Sequence, residues 1–371
     1  MSELPHISVA ARAPAMREGF DDIDVLIVSD LTNVRWLTGF TGSNGFGVVL
    51  PDQLVIVTDG RYGEQAERQM SSAGCAGTVQ VGRTGAEILE IVAKVVGSAA
   101  RVGFESAHTS HQRFVQFGAA ISGQLVPTTG LVEVGRRTKD PAEIARIHHA
   151  CHIADVALAH VAAHIEPGCT EVQIRNDLEQ MMRELGAQGP SYETIVATGP
   201  VNAPLPHHRP TSTVVQQGHT VVIDVGALID GYHSDMTRTF VIGQPTALQH
   251  QVYDIVLAAQ CAGVAAVRPG LTTRELDAVC RDIIADAGFG PWFSHGTGHG
   301  VGLLIHEDPF VNSAGELELQ VGDVVTVEPG VYRGDFGGVR IEDLVEVTSD
   351  GCRVLTASPK DVPCLPSVPT T

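Results

Sequence analysis

The chain has 371 residues, a formal net charge of −19 and a hydrophobic fraction of 43%. The strong negative charge argues against nucleic acid as a partner, because phosphate binding needs clustered lysine and arginine. No apolar run reaches transmembrane length and the start of the chain lacks a signal-peptide pattern, so no membrane partner is expected. Seven dispersed cysteines predict reduced thiols and a cytoplasmic protein.

The first part of the chain alternates short apolar runs with amphipathic stretches. Strands are predicted for the apolar runs at residues 25–28, 54–57 and 102–104. Helices are predicted near residues 62–70, 86–96 and 110–120. This alternation predicts an α/β domain over residues 1–135.

A helix start marks the boundary to a second domain, which is predicted over residues 136–371. Asp140 is a candidate N-cap, Pro141 occupies the first helical position, and Glu143 completes a pattern like a capping box. With 371 residues the chain is long enough for two domains that each have a core.

The second part of the chain contains one pattern twice. An apolar strand broken by Asp224 is followed by Asp235. A similar strand, broken by Glu328 at an offset of 104 residues, is followed by Glu342. A Pro-Gly-X-Thr sequence also recurs, at residues 167–170 and 269–272. The repetition predicts two similar halves that face each other across a shared core.

The four repeated acids are candidate metal ligands. Each acid alone could cap a strand or face solvent, but the valines and isoleucine beside Asp224 and Glu328 predict buried strands. Because unpaired buried carboxylates are costly, converging acids need cations or shared protons. The pattern therefore predicts a metal site.

A histidine cluster precedes the second acidic strand. His295, His299 and His306 lie within twelve residues, among glycines that allow close approach to a metal or substrate. Neither the HExxH motif nor a CxxC pair is present, so the ligands would be mostly oxygen with one or two nitrogens. This ligand set favours manganese, iron(II), cobalt or zinc, and four carboxylates fit two cations, as in two-metal hydrolases.

Four segments together resemble the pita-bread metallopeptidases of family M24, which include methionine aminopeptidase, aminopeptidase P and prolidase. They are GYHSDMTRTF (231–240), HGTGHGVG (295–302), VEPG (327–330) and VRIED (339–343). The resemblance implies an α+β pita-bread catalytic domain with an internal pseudo-twofold repeat. Residues 33–45 resemble the creatinase-type N-terminal domain of aminopeptidase P and prolidase. Within them, Trp36 and Phe40 are either core aromatics or a wall that reaches a partner subunit's active site.

The resemblance also implies roles for individual residues. Two divalent ions, with manganese favoured over cobalt, iron(II) and zinc, would be bound by Asp224, Asp235, His299, Glu328 and Glu342. His306 would contact the scissile carbonyl, and Glu328 would move the proton of the attacking water. His207 would be the catalytic and substrate-side histidine, although the adjacent His208 leaves that choice open. His295 and Arg340 would either support the metal ligands or lie on the substrate side.

The function that the resemblance implies is removal of the first residue from peptides with proline at the second position, by an Xaa-Pro aminopeptidase acting as a homodimer. One alternative is an Xaa-Pro dipeptidase (prolidase), which would differ by excluding longer peptides. The other is a metal-free pita-bread enzyme or binding module, as in creatinase, although this chain keeps the full ligand set.

Overall fold

A computed structural model describes residues 4–363, and within them the chain forms two compact units. One unit is Pro5–Arg136, and the described part of the other is Leu4 together with residues 137–363. In the described part of the chain, none of the helices combines the length and the apolar character needed to cross a membrane.

The N-terminal unit contains a six-stranded mixed sheet of order β4-β3-β2-β1-β5-β6. Its strands are β1 (Val25–Val28), β2 (Phe46–Val49), β3 (Leu54–Asp59), β4 (Thr78–Gly82), β5 (Arg101–Glu105) and β6 (Gln124–Thr128). Its helices are α1 (Arg12–Arg17), α2 (Leu31–Thr38), α3 (Gly63–Ser72), α4 (Gly85–Val96), α5 (His111–Ala120) and α6 (Glu133–Arg137). The three predicted strands and three predicted helices are confirmed within two residues at each end.

The segment that contains Trp36 and Phe40 forms α2 and the turn after it. Asp30 caps the start of α2, and Gly39, at φ 78°, ends it in a left-handed conformation that favours glycine. Trp36 is 7% exposed and Phe40 is 1% exposed. Both rings are therefore core residues of their own domain, and the structure favours that alternative over a wall in a partner's site.

The second unit begins with one copy of the repeat. Its helices are α7 (Pro141–Ala162), α8 (Glu171–Glu184) and α9 (Gly199–Asn202). Its strands are β7 (Gly189–Pro190), β8 (Ile195–Thr198), β9 (Thr220–Asp224), β10 (Ala227–Ile229), β11 (Tyr232–His233) and β12 (Thr237–Val241). They form two antiparallel sheets, of order β12-β9-β8 and β11-β10-β7.

The second copy follows directly. Its helices are α10 (Ala247–Ala266), α11 (Thr273–Asp286) and a short 3₁₀ helix at Gly290–Trp292. Its strands are β13 (Gly298–Gly300), β14 (Glu307–Val311), β15 (Val324–Val327), β16 (Gly330–Arg333), β17 (Gly337–Arg340), β18 (Asp343–Thr348) and β19 (Gly351–Val354). Five of them form an antiparallel sheet of order β14-β13-β15-β18-β19, and β16 pairs with β17.

The two copies repeat each other in helix length and in backbone hydrogen bonds. Helices α8 and α11 each have 14 residues and start with a capping box. The amide of Gly168 donates to the carbonyl of Val215 at 3.0 Å, and the amide of Gly270 donates to that of Leu319 at 2.9 Å. The predicted capping box of α7, between Asp140 and Glu143, is also present. The internal repeat of the pita-bread fold is thereby confirmed.

Each copy has its own apolar core between its helices and its sheet. The first core includes Leu178 and Ile223, and the second includes Leu276 and Val327. All residues of β15, and those of β9 before Asp224, are buried, so Asp224 and Glu328 are held at the ends of well-packed strands.

Candidate metal centre

Four acids lie at corresponding strand ends in the two copies. Asp224 ends β9, and Asp235 precedes β12, the antiparallel partner of β9. Glu328 directly follows β15, and Glu342 directly precedes β18, the antiparallel partner of β15. Because partners in an antiparallel pair run in opposite directions, the end of one strand lies beside the start of the other. Each copy thus brings two carboxylates together.

His299 on β13 joins the acids of both copies. Its Nε2 lies 3.3 Å from Oε1 of Glu328 and 3.5 Å from Oδ2 of Asp235. Asp235, His299 and Glu342 each offer a ligand atom, and these three atoms lie within 4.8 Å of one another. Asp224 is connected through Tyr192, whose hydroxyl contacts both Asp224 and Asp235. The five predicted ligands therefore form one connected cluster.

The glycines beside His299 make room for neighbouring backbone. A Cβ at Gly298 would lie 2.1 Å from the carbonyl oxygen of Thr326, and one at Gly300 would lie 2.4 Å from that of Asp308. These glycines make room for the backbones next to β13, so they position His299 by close strand packing.

The donor set fits divalent cations. Oε2 of Glu342 accepts a 2.7 Å hydrogen bond from Thr237, whereas its buried Oε1 has no hydrogen-bond partner. Nδ1 of His299 lies 3.1 Å from the carbonyl of Gly300, which accepts its N–H, so Nε2 faces the carboxylates of Glu328 and Asp235. A cation would bind the unpartnered Oε1 of Glu342 and would take the place of the proton on Nε2 of His299.

Burial and repulsion between the carboxylates perturb their protonation. Burial, followed by the charges of Asp224 and Glu328, raises the pKa of Asp235 well above its usual range. Burial, followed by the charge of Asp235, does the same to the pKa of Glu342. Burial opposes ionisation of Glu328 as well, but its hydrogen bond with His299 and the nearby positive groups lower its pKa to about 2. Ionisation of Asp235 and Glu342 is therefore opposed until cations offset the repulsion, whereas Glu328 stays ionised.

Arg340, the last residue of β17, holds the cluster in place through hydrogen bonds. It is 3% exposed, and its guanidinium donates to Asp224 at 2.7 Å, to the hydroxyl of Tyr332 at 2.8 Å and to that of Thr237 at 2.9 Å. Burial opposes its charge, but the neighbouring Tyr332, Asp224 and Glu328 raise the pKa of Arg340 well above its usual range. Arg340 lines the cleft as predicted for a substrate-side residue, but these donors are already used within the protein.

The cluster lies in a cleft of about 330 Å³, which is also lined by His207, His295 and His306. The ring centroid of His306 lies 4.3 Å from that of His299. Burial, and then the charge of His299, lowers the pKa of His306, and burial lowers the pKa of His295. Both rings are therefore neutral at neutral pH and keep one N–H to donate.

His207 and His208 have different surroundings in the structure. His207 is exposed and lines the cleft. His208 is 8% exposed, and its Nε2 lies 2.9 Å from Oε2 of the fully buried Glu171. Since Glu171 also accepts hydrogen bonds from Asn202 and from the backbone of Thr198, His208 belongs to a structural network.

Tyr192, Thr237 and Tyr332 support the cluster and are absent from the sequence-based prediction. Thr237 could have been found, because it follows Asp235 by two residues on an extended chain and so shares its face. Tyr192 had no such signal, since the repeat places no aromatic residue at the matching position, Ser294.

This fold, with a carboxylate and histidine cluster at the junction of two repeated halves, defines a metallohydrolase. Comparison with known families identifies the class more closely. Residues 145–349 match metallopeptidase family M24, and residues 15–138 match the creatinase/prolidase N-terminal domain. The chain belongs to metallopeptidase family M24. The family and the fold implied by the sequence motifs are confirmed, and the protein is an enzyme of the metallopeptidase class.

Individual relatives extend over nearly the whole chain. The chain is 39% identical over 343 residues to the peptidase YqhT of Bacillus subtilis (strain 168), which covers 92% of this chain and 95% of that protein. The structure of an Xaa-Pro dipeptidase from Bacillus anthracis superposes with a TM-score of 0.92 at 38% identity, covering 95% of this chain and 99% of that one. An X-Pro aminopeptidase from Thermotoga maritima MSB8 superposes with a TM-score of 0.85 at 32% identity, covering 93% and 98%. The dipeptidase is therefore the better match of these two structures.

Proposed function

We propose that this protein is an Xaa-Pro dipeptidase, which hydrolyses a dipeptide with proline at its second position into its two amino acids. The sequence led us to expect an aminopeptidase, with the dipeptidase as the alternative. We now prefer the dipeptidase, because the Xaa-Pro dipeptidase structure superposes with a higher TM-score and identity than the X-Pro aminopeptidase structure. The metal-dependent hydrolysis in this proposal is carried by one observation, the connected cluster of four carboxylates and His299 in a chain of this family.

The proposed metal ligands are Asp224, Asp235, His299, Glu328 and Glu342. Two divalent cations held there would supply Lewis-acid polarisation and a more acidic attacking water. We expect manganese, because oxygen-rich donor sets with a single imidazole suit it, with cobalt, iron(II) and zinc as the other candidates.

The chain's own residues can perform the remaining steps. Glu328 is ionised and is the proposed base, which takes a proton from the attacking water and transfers it to the proline nitrogen. His306 is neutral, so it can donate its N–H to the oxygen of the scissile carbonyl as negative charge develops there. Proton transfer to proline matters because its amide carries no N–H and leaves as a secondary amine.

The substrate-side residues follow from the lining of the cleft. His207 and His295 are proposed to contact the peptide, and Arg340 to hold Asp224 in place. Ile195, Pro206 and Phe310 give the same cleft an apolar wall that suits a proline ring.

The proposed function is tested with four substrates in the presence of Mn²⁺: Ala-Pro, Ala-Pro-Ala-Ala, N-acetyl-Ala-Pro and Ala-Ala. We expect Ala-Pro to have the highest kcat/KM, by at least about tenfold, which is the effect of a single binding contact of about 1.4 kcal/mol. Faster cleavage of the tetrapeptide would establish the aminopeptidase instead. Efficient cleavage of the acetylated peptide or of Ala-Ala would contradict, respectively, the free-amine requirement and the selectivity for proline.

The homodimer and the cytoplasmic location stay predictions. The six cysteines within the described residues are all free thiols, as expected in a reducing compartment. Light scattering of the purified chain measures its mass in solution, and a monomeric mass would contradict the homodimer.

A further inference from the structure

We propose that Arg209 binds the C-terminal carboxylate of the dipeptide substrate, and that this contact selects dipeptides over longer peptides. The inference deepens the proposed dipeptidase function and rests on it. A dipeptide carries its negative C-terminus on the proline itself, whereas a longer peptide has a neutral amide there. A cation at the correct end of the cleft can therefore distinguish the two classes of substrate.

Arg209 is the cation of the cleft that remains accessible to a substrate. Among the described residues that line the cleft, the permanently charged cations are Arg209 and Arg340. Arg340 is buried and donates to Asp224 and Tyr332. The side chain of Arg209 is 61% exposed. Arginine suits this task, because its planar guanidinium can bind a carboxylate through two parallel hydrogen bonds.

Glu193 currently occupies the position that we assign to the substrate carboxylate. Nη1 of Arg209 lies 3.1 Å from Oε2 of Glu193 and 3.4 Å from its carbonyl oxygen. The side chain of Glu193 is 51% exposed, and exposed ion pairs of this kind contribute little to stability. A substrate carboxylate can therefore take the place of the Glu193 carboxylate at low cost.

The position of Arg209 along the cleft suits a substrate of two residues. Tyr192 reaches the acid cluster with its hydroxyl, and its neighbour Glu193 contacts Arg209 through the backbone as well as the side chain. Tyr192 and the backbone of Glu193 thus connect the cluster with the guanidinium. An extended dipeptide spans at most about 7 Å, so its C-terminus can reach only groups of the same cleft, and Arg209 lines that cleft.

The experiment measures KM and kcat for Ala-Pro, Ala-Pro amide and Ala-Pro-Ala-Ala with the Mn²⁺-loaded full-length enzyme. The variants are Arg209→Gln, Arg209→Lys and Glu193→Gln. Arg183→Gln is the matched control, because Arg183 is also exposed and paired with one glutamate, Glu179, outside the cleft. Circular dichroism of each variant verifies that it is folded.

We expect Arg209→Gln to raise KM for Ala-Pro by about 10- to 100-fold, which is the range for losing a hydrogen bond to a charged group. The ratio of KM for Ala-Pro amide to KM for Ala-Pro should fall by the same factor in Arg209→Gln. Arg209→Lys should recover part of this ratio. Glu193→Gln should lower KM for Ala-Pro, because it removes the competing carboxylate.

Two results would overturn the assignment, and they can be told apart from failure of the proposed function. If Arg209→Gln changes KM for Ala-Pro no more than Arg183→Gln does, Arg209 does not bind the carboxylate, although the dipeptidase function stands. If Arg209→Gln and Glu193→Gln both raise KM equally, the ion pair only orders the loop. If the wild-type enzyme fails to cleave Ala-Pro at all, the proposed function and this inference both fall.

Discussion

His299 illustrates how individual residues of the centre are oriented before any ligand binds. Its backbone amide donates to Oγ1 of Thr326 at 3.0 Å, and that hydroxyl lies 3.2 Å from Oε1 of Glu328. Its ring is held at Nδ1 by the carbonyl of Gly300. These contacts fix both the ring and the carboxylate, so little side-chain entropy remains to be lost when a ligand binds.

His306 differs from His299 in exposure and therefore in its expected role. It lies on the loop between β13 and β14, and its side chain is exposed to the cleft. We predict that His306→Ala lowers kcat for Ala-Pro by about 10²- to 10³-fold, the usual cost of losing one oxyanion donor. Bound metal, measured by elemental analysis, should remain at the wild-type level.

An exposed histidine outside the cleft, His164, provides the control for this prediction, and His164→Ala should retain wild-type kcat. Loss of metal from His306→Ala would assign His306 as a ligand instead of an oxyanion donor. A kcat within about threefold of wild type would remove His306 from the chemistry.

At the scale of the elements, helix starts are encoded locally and can be tested locally. One oxygen of Asp140 accepts hydrogen bonds from the amides of Ala142 at 2.8 Å and Glu143 at 2.9 Å. We predict that Asp140→Ala lowers the free energy of unfolding by about 1 kcal/mol, measured as a lower urea midpoint, with unchanged metal content. Asp254→Ala, within α10 and exposed, is the control and should cost less, because alanine favours helix interiors. Equal midpoints for the two variants would contradict the prediction.

The elements also show how far the sequence determines the site. Asp224 and Glu328 could be predicted because each follows a run of valines that can only be buried, and the repeat links the two positions. Tyr192 could not, since its contacts with Asp224 and Asp235 bridge 32 and 43 residues and depend on how β7 and β9 are placed. Contacts over such distances in sequence leave no periodic pattern.

The sequence favours His207 over His208 but leaves the choice open for a similar reason. The two residues are adjacent, so composition and spacing treat them alike. Only the buried carboxylate of Glu171, 37 residues earlier in sequence, distinguishes them by binding His208. In the same way, α2 was not predicted because its helical segment is short and mixed in polarity, and its ends are set by Asp30 and Gly39.

At the scale of the whole molecule, the repeat explains why so many carboxylates meet. Each copy contributes two acids at the ends of paired strands, and the junction between copies places all four together. The molecule as a whole carries a net charge of −19, which adds to the repulsion at this point. Repulsion and burial both favour the folded state with bound cations over the same state without them.

Metal removal should therefore change both activity and stability. We predict that excess EDTA abolishes cleavage of Ala-Pro, that Mn²⁺ or Co²⁺ restores it, and that Mn²⁺ at about 100 times its Kd stabilises the fold by about 2.7 kcal/mol. Without metal, Glu342→Gln should unfold at a higher temperature than the wild-type protein at neutral pH, because burial and the charge of Asp235 raise the pKa of Glu342 on folding, so its ionisation favours the unfolded state.

The same variant should gain much less from Mn²⁺, because it lacks a ligand, and should stay inactive. Glu184→Gln removes an exposed acid outside the cleft and should follow the wild-type protein in both measurements. Calorimetry with and without Mn²⁺ gives the unfolding temperatures, and a proline-release assay gives the activity. Wild-type turnover in EDTA, with no metal detected in the protein, would refute the metallopeptidase mechanism. Equal stabilisation of the wild-type protein and of Glu342→Gln by Mn²⁺ would exclude Glu342 as a ligand.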